Sequence, residues 1–146
     1  MPLSAAERRC IMIKLIIGVK GSGKTKTLIE MVDKALCETN GDVVCIEKGD
    51  KLRFDIKYQC RLIDTDQYKV NDAESLYGFV AGILASNHDV SDLFIDSALK
   101  ICKNDTDAFD EFLNKTDTLV SDLGVKCLIT SSLHPEDATE TMKKYL

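Results

Sequence analysis

The stretch Gly18-Val19-Lys20-Gly21-Ser22-Gly23-Lys24-Thr25 has the residue types and spacing of a loop that wraps phosphate. It fits G-x-x-x-x-G-K-[ST] at every fixed position. Glycines let the backbone fold around an anion, so that successive N–H groups and the start of the next helix point at negative charge. The lysine reaches the outer phosphates of a nucleotide, and the final hydroxyl ligates Mg²⁺. The residues expected to hold the nucleotide are therefore Gly18, Lys20, Gly21, Ser22, Gly23, Lys24, Thr25 and Lys26.

Two further stretches place acids where such a site would use them. Asp92-Leu93-Phe94-Ile95-Asp96 is an apolar run closing on a carboxylate. Asp96 is the candidate to hold Mg²⁺ together with Thr25. Asp42 to Glu47 reads as a buried strand ending in Glu47, with Lys48-Gly49-Asp50 as the turn beyond it. In open α/β sheets ligands gather at the carboxyl ends of strands, which singles out Glu47 and, next to it, Asp50.

Positioning elements are legible around these residues. Ile13 to Ile17 is a short β-branched run suited to a buried parallel strand. From Thr27 to Leu36 the apolar residues fall at helical spacing, with a stop expected near Asn40-Gly41. Leu52, Phe54, Ile56 and Tyr58 alternate with polar residues, which predicts a half-exposed strand and a β-hairpin at the sheet edge. Arg61 to Asp66 is a strand or an extended return. Asn71 or Asp72 caps a helix running to about Asn87, with Leu76, Phe79, Val80, Ile83 and Leu84 on its buried side. Asn104-Asp105-Thr106-Asp107 opens an amphipathic helix that Gly124 stops. Val125 to Ser132 is a further buried strand, and Pro135 is placed to start a last helix.

The order β-α-β-(β)-α-β-α-β-α predicts an α/β fold in three layers, a mostly parallel sheet of about five strands with helices on both faces. At 146 residues one domain is expected, with residues 1–11 as an N-terminal extension and 12–146 as the nucleotide-binding unit. No apolar run approaches the ~20 residues that span a bilayer, and Met1 to Arg9 lacks the apolar core of a secretory signal. The six cysteines show no C-x-x-C pair and no histidine at metal-ligand spacing, so buried reduced thiols and a cytoplasmic setting are expected. A net charge of −5 argues against nucleic-acid binding across a broad surface. Lys48, Lys51, Arg53, Lys57 and Arg61 form a locally basic segment at 48–61, a candidate contact for a protein partner.

With these motifs the chain resembles the P-loop NTPases, Gly18 to Thr25 standing as Walker A and Leu93 to Asp96 as Walker B. Within that superfamily it resembles the RecA-like and thymidine-kinase-like group, and also small bacterial ATP-binding proteins. The resemblance implies ATP and Mg²⁺ as ligands and an acid just past the second strand that activates water, a role open to Glu47 or Asp50. It also implies a polar residue ending the strand after Walker B, which Thr130 and Ser131 supply. Ser97 stands where a catalytic glutamate often follows the Walker B aspartate, a departure that speaks for slow hydrolysis.

Three functions remain open on sequence: a slow Mg²⁺-dependent ATPase, a small-molecule kinase of nucleoside type, and a nucleotide-holding interaction module. Small kinases usually clamp the transferring phosphoryl with lid arginines, and this chain has no arginine after Arg61. Guanine recognition by N-K-x-D is also missing, because Asn104-Asp105-Thr106-Asp107 lacks the lysine.

Overall fold

Residues 11–146 are described by the structure, a computed structural model; all but the last residue of the expected N-terminal extension lies outside them. Five strands form one sheet in the order β1-β5-β4-β2-β3. They are β1 (Ile13–Gly18), β2 (Asp42–Glu47), β3 (Arg61–Asp64), β4 (Val90–Ile95) and β5 (Lys126–Ser132). Every pairing is parallel, so all five strands deliver their carboxyl ends to one edge.

Alternation along the strands divides the core in two. Ile13, Leu15, Val44, Ile46, Leu93, Ile95, Cys127 and Ile129 face α2 (Ala73–Ser86), the short α3 (Ala98–Ile101), α4 (Thr106–Leu123) and the terminal α5 (Glu140–Lys143). Val43, Cys45, Phe94 and Leu128 face the other way, against Leu28, Val32 and Ala35 of α1 (Lys24–Glu38). A sheet buried on both faces explains why β2, β4 and β5 read as continuous apolar runs.

Helix boundaries follow local chemistry. Asp72 accepts from the Ser75 N–H at 2.7 Å and Ser75 returns the bond at 3.2 Å, a capping box that fixes the start of α2. Asp105 caps α4, and Gly124 closes it at φ 69°. At the other edge of the sheet Tyr145 covers β1, its carbonyl accepting the Leu15 N–H at 2.7 Å.

The structure corrects two expectations. No hairpin forms at 52–58: the segment is a set of tight turns in which the Asp55 and Ile56 N–H groups both donate to the Leu52 carbonyl at 2.9 Å. Leu52, Ile56 and Cys60 are buried against the α1 face, while Phe54 is 86% and Tyr58 92% exposed. A four-residue burial period was hidden inside the two-residue alternation, and it places the apolar residues on one side of a coil. The sheet edge is instead β3, which pairs with β2. Helix α1 ends at Glu38 with Thr39 as its cap, close to the stop expected near Asn40-Gly41. A side chain at 41 would lie 2.6 Å from the Asp89 carbonyl, so glycine there serves the close approach of the chain entering β4. Pro135 begins only a three-residue 3-10 turn, and the last helix restarts at Glu140 with Thr139 as cap.

Candidate functional site

The glycine loop leaves β1 at the sheet edge and enters α1. Gly21 and Gly23 adopt φ of 84° and 91°, which side chains other than glycine adopt only with strain. Gly23 occupies the cap position without any side-chain hydrogen bond, and the first turn of α1 contains no acid. A helix N-terminus so prepared has free N–H groups and positive potential for an anion. Lys24 Nζ lies across the loop, donating to the carbonyls of Gly18 and Val19 at 3.0 Å each.

Strand order decides what faces this loop. Because β5 lies between β1 and β4, the hydroxyls ending β5 stand between the glycine loop and Asp96. The Thr130 hydroxyl donates to Asp96 Oδ1 at 2.6 Å and accepts the Ser97 N–H at 2.9 Å. Thr25 Oγ1 lies 3.4 Å from the same Asp96 oxygen, and the Asp96 N–H is tied to the Ile46 carbonyl at 2.8 Å. Thr25 and Asp96 therefore offer two hard oxygens side by side, beside a loop suited to phosphate. That donor set fits Mg²⁺, which keeps several waters and takes its other oxygens from the bound phosphates. Among the described residues no group of three or more His, Cys, Asp or Glu forms a separate metal cage.

Glu47 ends β2 and is 3% exposed. Its carboxylate accepts the Leu52 N–H, at 3.1 Å to Oε2 and 3.4 Å to Oε1. Burial raises its pKa above the usual range, the Leu52 N–H lowers it in part, and the charge of Asp96 raises it further.

One cleft of about 590 Å³ collects these groups. Lys20, Gly21, Gly23, Lys24, Thr25 and Lys26 line it from the loop, and Glu47, Asp96 and Thr130 from the strand ends. Gly18 and Ser22 line a shallower depression on the outer side of the loop. Asp50 is not brought in: it is exposed and pairs with Arg53 at 3.5 Å. Lys48, Lys51, Ser97, Lys100, Asn104 and Ser132 complete the wall. Lys100 and Asn104 escaped sequence reasoning as site residues, since neither belongs to a motif; a lysine four residues past Asp96 was the available signal. The basic 48–61 segment is partly neutralised, with Lys48 on Asp66 at 2.7 Å and Lys57 on Asp33 at 3.9 Å.

The described cysteines 37, 45, 60, 102 and 127 are free thiols, and all but Cys37 are buried. Burial pushes Cys60 up to about 11 and Cys102 and Cys127 to about 12, which keeps them protonated and inert. His134 accepts the Glu136 N–H at 3.4 Å and serves as a local cap.

An all-parallel sheet covered on both faces, with the glycine loop after its first strand, defines an α/β domain of the RecA-like P-loop fold. Among solved structures the chain is similar to a KaiC-like protein from the hyperthermophilic archaeon Pyrococcus horikoshii. The likeness has a TM-score of 0.67 at 17% identity, over 92% of this chain and 67% of that one. It is a likeness of fold. No protein-family model matches the chain, and no curated protein matches it. No helix of the described residues is long and apolar enough to cross a membrane.

Proposed function

We propose that the chain binds ATP with Mg²⁺ and hydrolyses it slowly. The observation that carries this reading is the convergence of Lys24, Thr25, Asp96 and Glu47 on one cleft at the carboxyl edge of the sheet. The loop N–H groups and Lys24 hold the phosphates, while Thr25 and Asp96 hold the metal, with Thr130 orienting the Asp96 carboxylate. Bound Mg²⁺ supplies neutralisation of charge on the β- and γ-phosphate oxygens. Glu47 is the group that orients the attacking water and accepts its proton, its raised pKa suiting that task. Asp50, turned toward Arg53, is the second choice for that role. Slow turnover agrees with Ser97, a residue without a basic carboxylate, standing beside Asp96. A protein partner is proposed to dock on the 48–61 segment, where Phe54 and Tyr58 stand out among Arg53 and Lys57.

Titration calorimetry with Mg·ATP, alongside phosphate release, tests the reading. Lys24→Ala should weaken ATP binding by roughly 1.5–3 kcal/mol, about tenfold or more, with the fold intact. Equal affinity in parent and variant would remove the phosphate-site assignment.

A further inference from the structure

The short helix α3 brings to the cleft a cation that neither the glycine loop nor the metal position accounts for. Of residues 98–102, Ala98, Leu99, Ile101 and Cys102 are buried and only Lys100 is exposed. The turn is pinned where it lies. The Leu99 N–H donates to the buried Ser131 hydroxyl at 3.2 Å, and the Asn104 N–H to the Leu99 carbonyl at 2.9 Å. Its backbone is also strained, with Ser97, Lys103 and Asn104 at φ of 57°, 58° and 58°, the left-handed region that favours glycine. A buried, pinned and strained turn thus presents one free side chain, and that side chain lines the cleft with Lys24, Thr25 and Asp96.

Of the other cations on this wall, Lys51 stands on the 51–60 turns next to Glu47, away from the turn pinned to the end of β5. Lys48 is held by Asp66, and Arg53 pairs with Asp50 outside the cleft. Arg61 lines a depression with Asp42 and Asn87 at the amino ends of the strands, and no arginine follows it. The described carboxylates form no ion pair with Lys100.

We propose that Lys100 contacts the terminal phosphate of a bound nucleoside triphosphate from the α3 side of the cleft, and so distinguishes triphosphate from diphosphate. The proposal rests on the nucleotide reading of the cleft. Lysine suits the position as a compact charge on a flexible stem, able to follow a phosphoryl group whose geometry changes. It also supplies in cis the charge that a guanidinium from a lid would otherwise provide.

Calorimetry on the whole chain in Mg²⁺ tests it, with ADP and a β,γ-imido analogue of ATP as probes. The proteins compared are the parent, Lys100→Ala, Lys100→Arg, Lys24→Ala and Lys103→Ala, with thermal melting to verify folding. Lys100→Ala should lose about tenfold or more in affinity for the triphosphate analogue while ADP affinity stays within about twofold. Lys100→Arg should keep most of the triphosphate preference. Lys103→Ala, outside the cleft, should change neither ligand, and Lys24→Ala should weaken both. Equal loss for both ligands in Lys100→Ala would reduce its effect to general attraction and overturn the proposal, as would no loss at all. A parent that binds neither probe would instead overturn the nucleotide reading beneath it.

Discussion

Asp96 is fixed by the Thr130 hydroxyl on one oxygen and by its own N–H on the Ile46 carbonyl. Asp96→Asn keeps an oxygen to accept from Thr130 but loses the charge a cation needs. ATP affinity should therefore fall much further in Mg²⁺ than in EDTA, as read by calorimetry in the two buffers. Loss of the same size in both would make Asp96 a strand-end cap. Glu47 shows a different physics. Its buried carboxylate has a raised pKa, so the folded state disfavours the charged form. A carboxyl whose folded pKa lies above the unfolded one contributes stability at low pH and loses it as pH rises through the folded value. Glu47→Gln still accepts from Leu52 and carries no charge. In the nucleotide-free protein, melting should show the variant gaining on the parent as pH rises to neutrality, the gap closing in acid. With ATP, the same variant should lose about 10²–10⁴ in turnover, the range for a positioned base, with binding nearly kept. Turnover equal to the parent would dismiss Glu47 from catalysis.

At the scale of elements, the 51–60 turns show how a segment with neither helix nor strand can hold a site. Leu52 covers the sheet face and at the same time offers its N–H to Glu47. Ile56 and Cys60 anchor the same coil, with Phe54 turned outward under the Arg53 guanidinium at 4.6 Å. Burial therefore separates residues that alternation in sequence would group together. Ile56→Ala should cost roughly 2–5 kcal/mol in denaturant unfolding, as for other large-to-small core changes. Phe54→Ala should cost no more than about 1 kcal/mol, the worth of an exposed cation–π contact. Similar costs for the two would restore the half-exposed strand. Short α3 matters in the same way, since its buried residues fix the direction of Lys100.

For the whole molecule, the parallel sheet brings its strand ends to one edge, and two cores on opposite faces pack the strands that lead there. A ligand bridging α1, β2, β4 and β5 there should stabilise the fold globally. Mg·ATP at 100 times its dissociation constant should add about 2.7 kcal/mol of unfolding free energy, visible as a concentration-dependent rise in Tm. No shift in Tm at saturating nucleotide would argue against a bridging site. The glycine loop, the strands that end in Glu47 and Asp96, and the caps of α2 and α4 were legible in sequence, because each is encoded by neighbours within a few positions. Whether Glu47 or Asp50 enters the cleft was not legible, since it depends on how the 51–60 coil packs against α1. The contacts of Thr130 with Asp96 and the place of Lys100 depend on β5 lying between β1 and β4. Strand order is set by long-range burial, which short-range patterns do not encode. Sequence alone thus determined the glycine loop and the α/β class, and tertiary packing decided which charges meet around it.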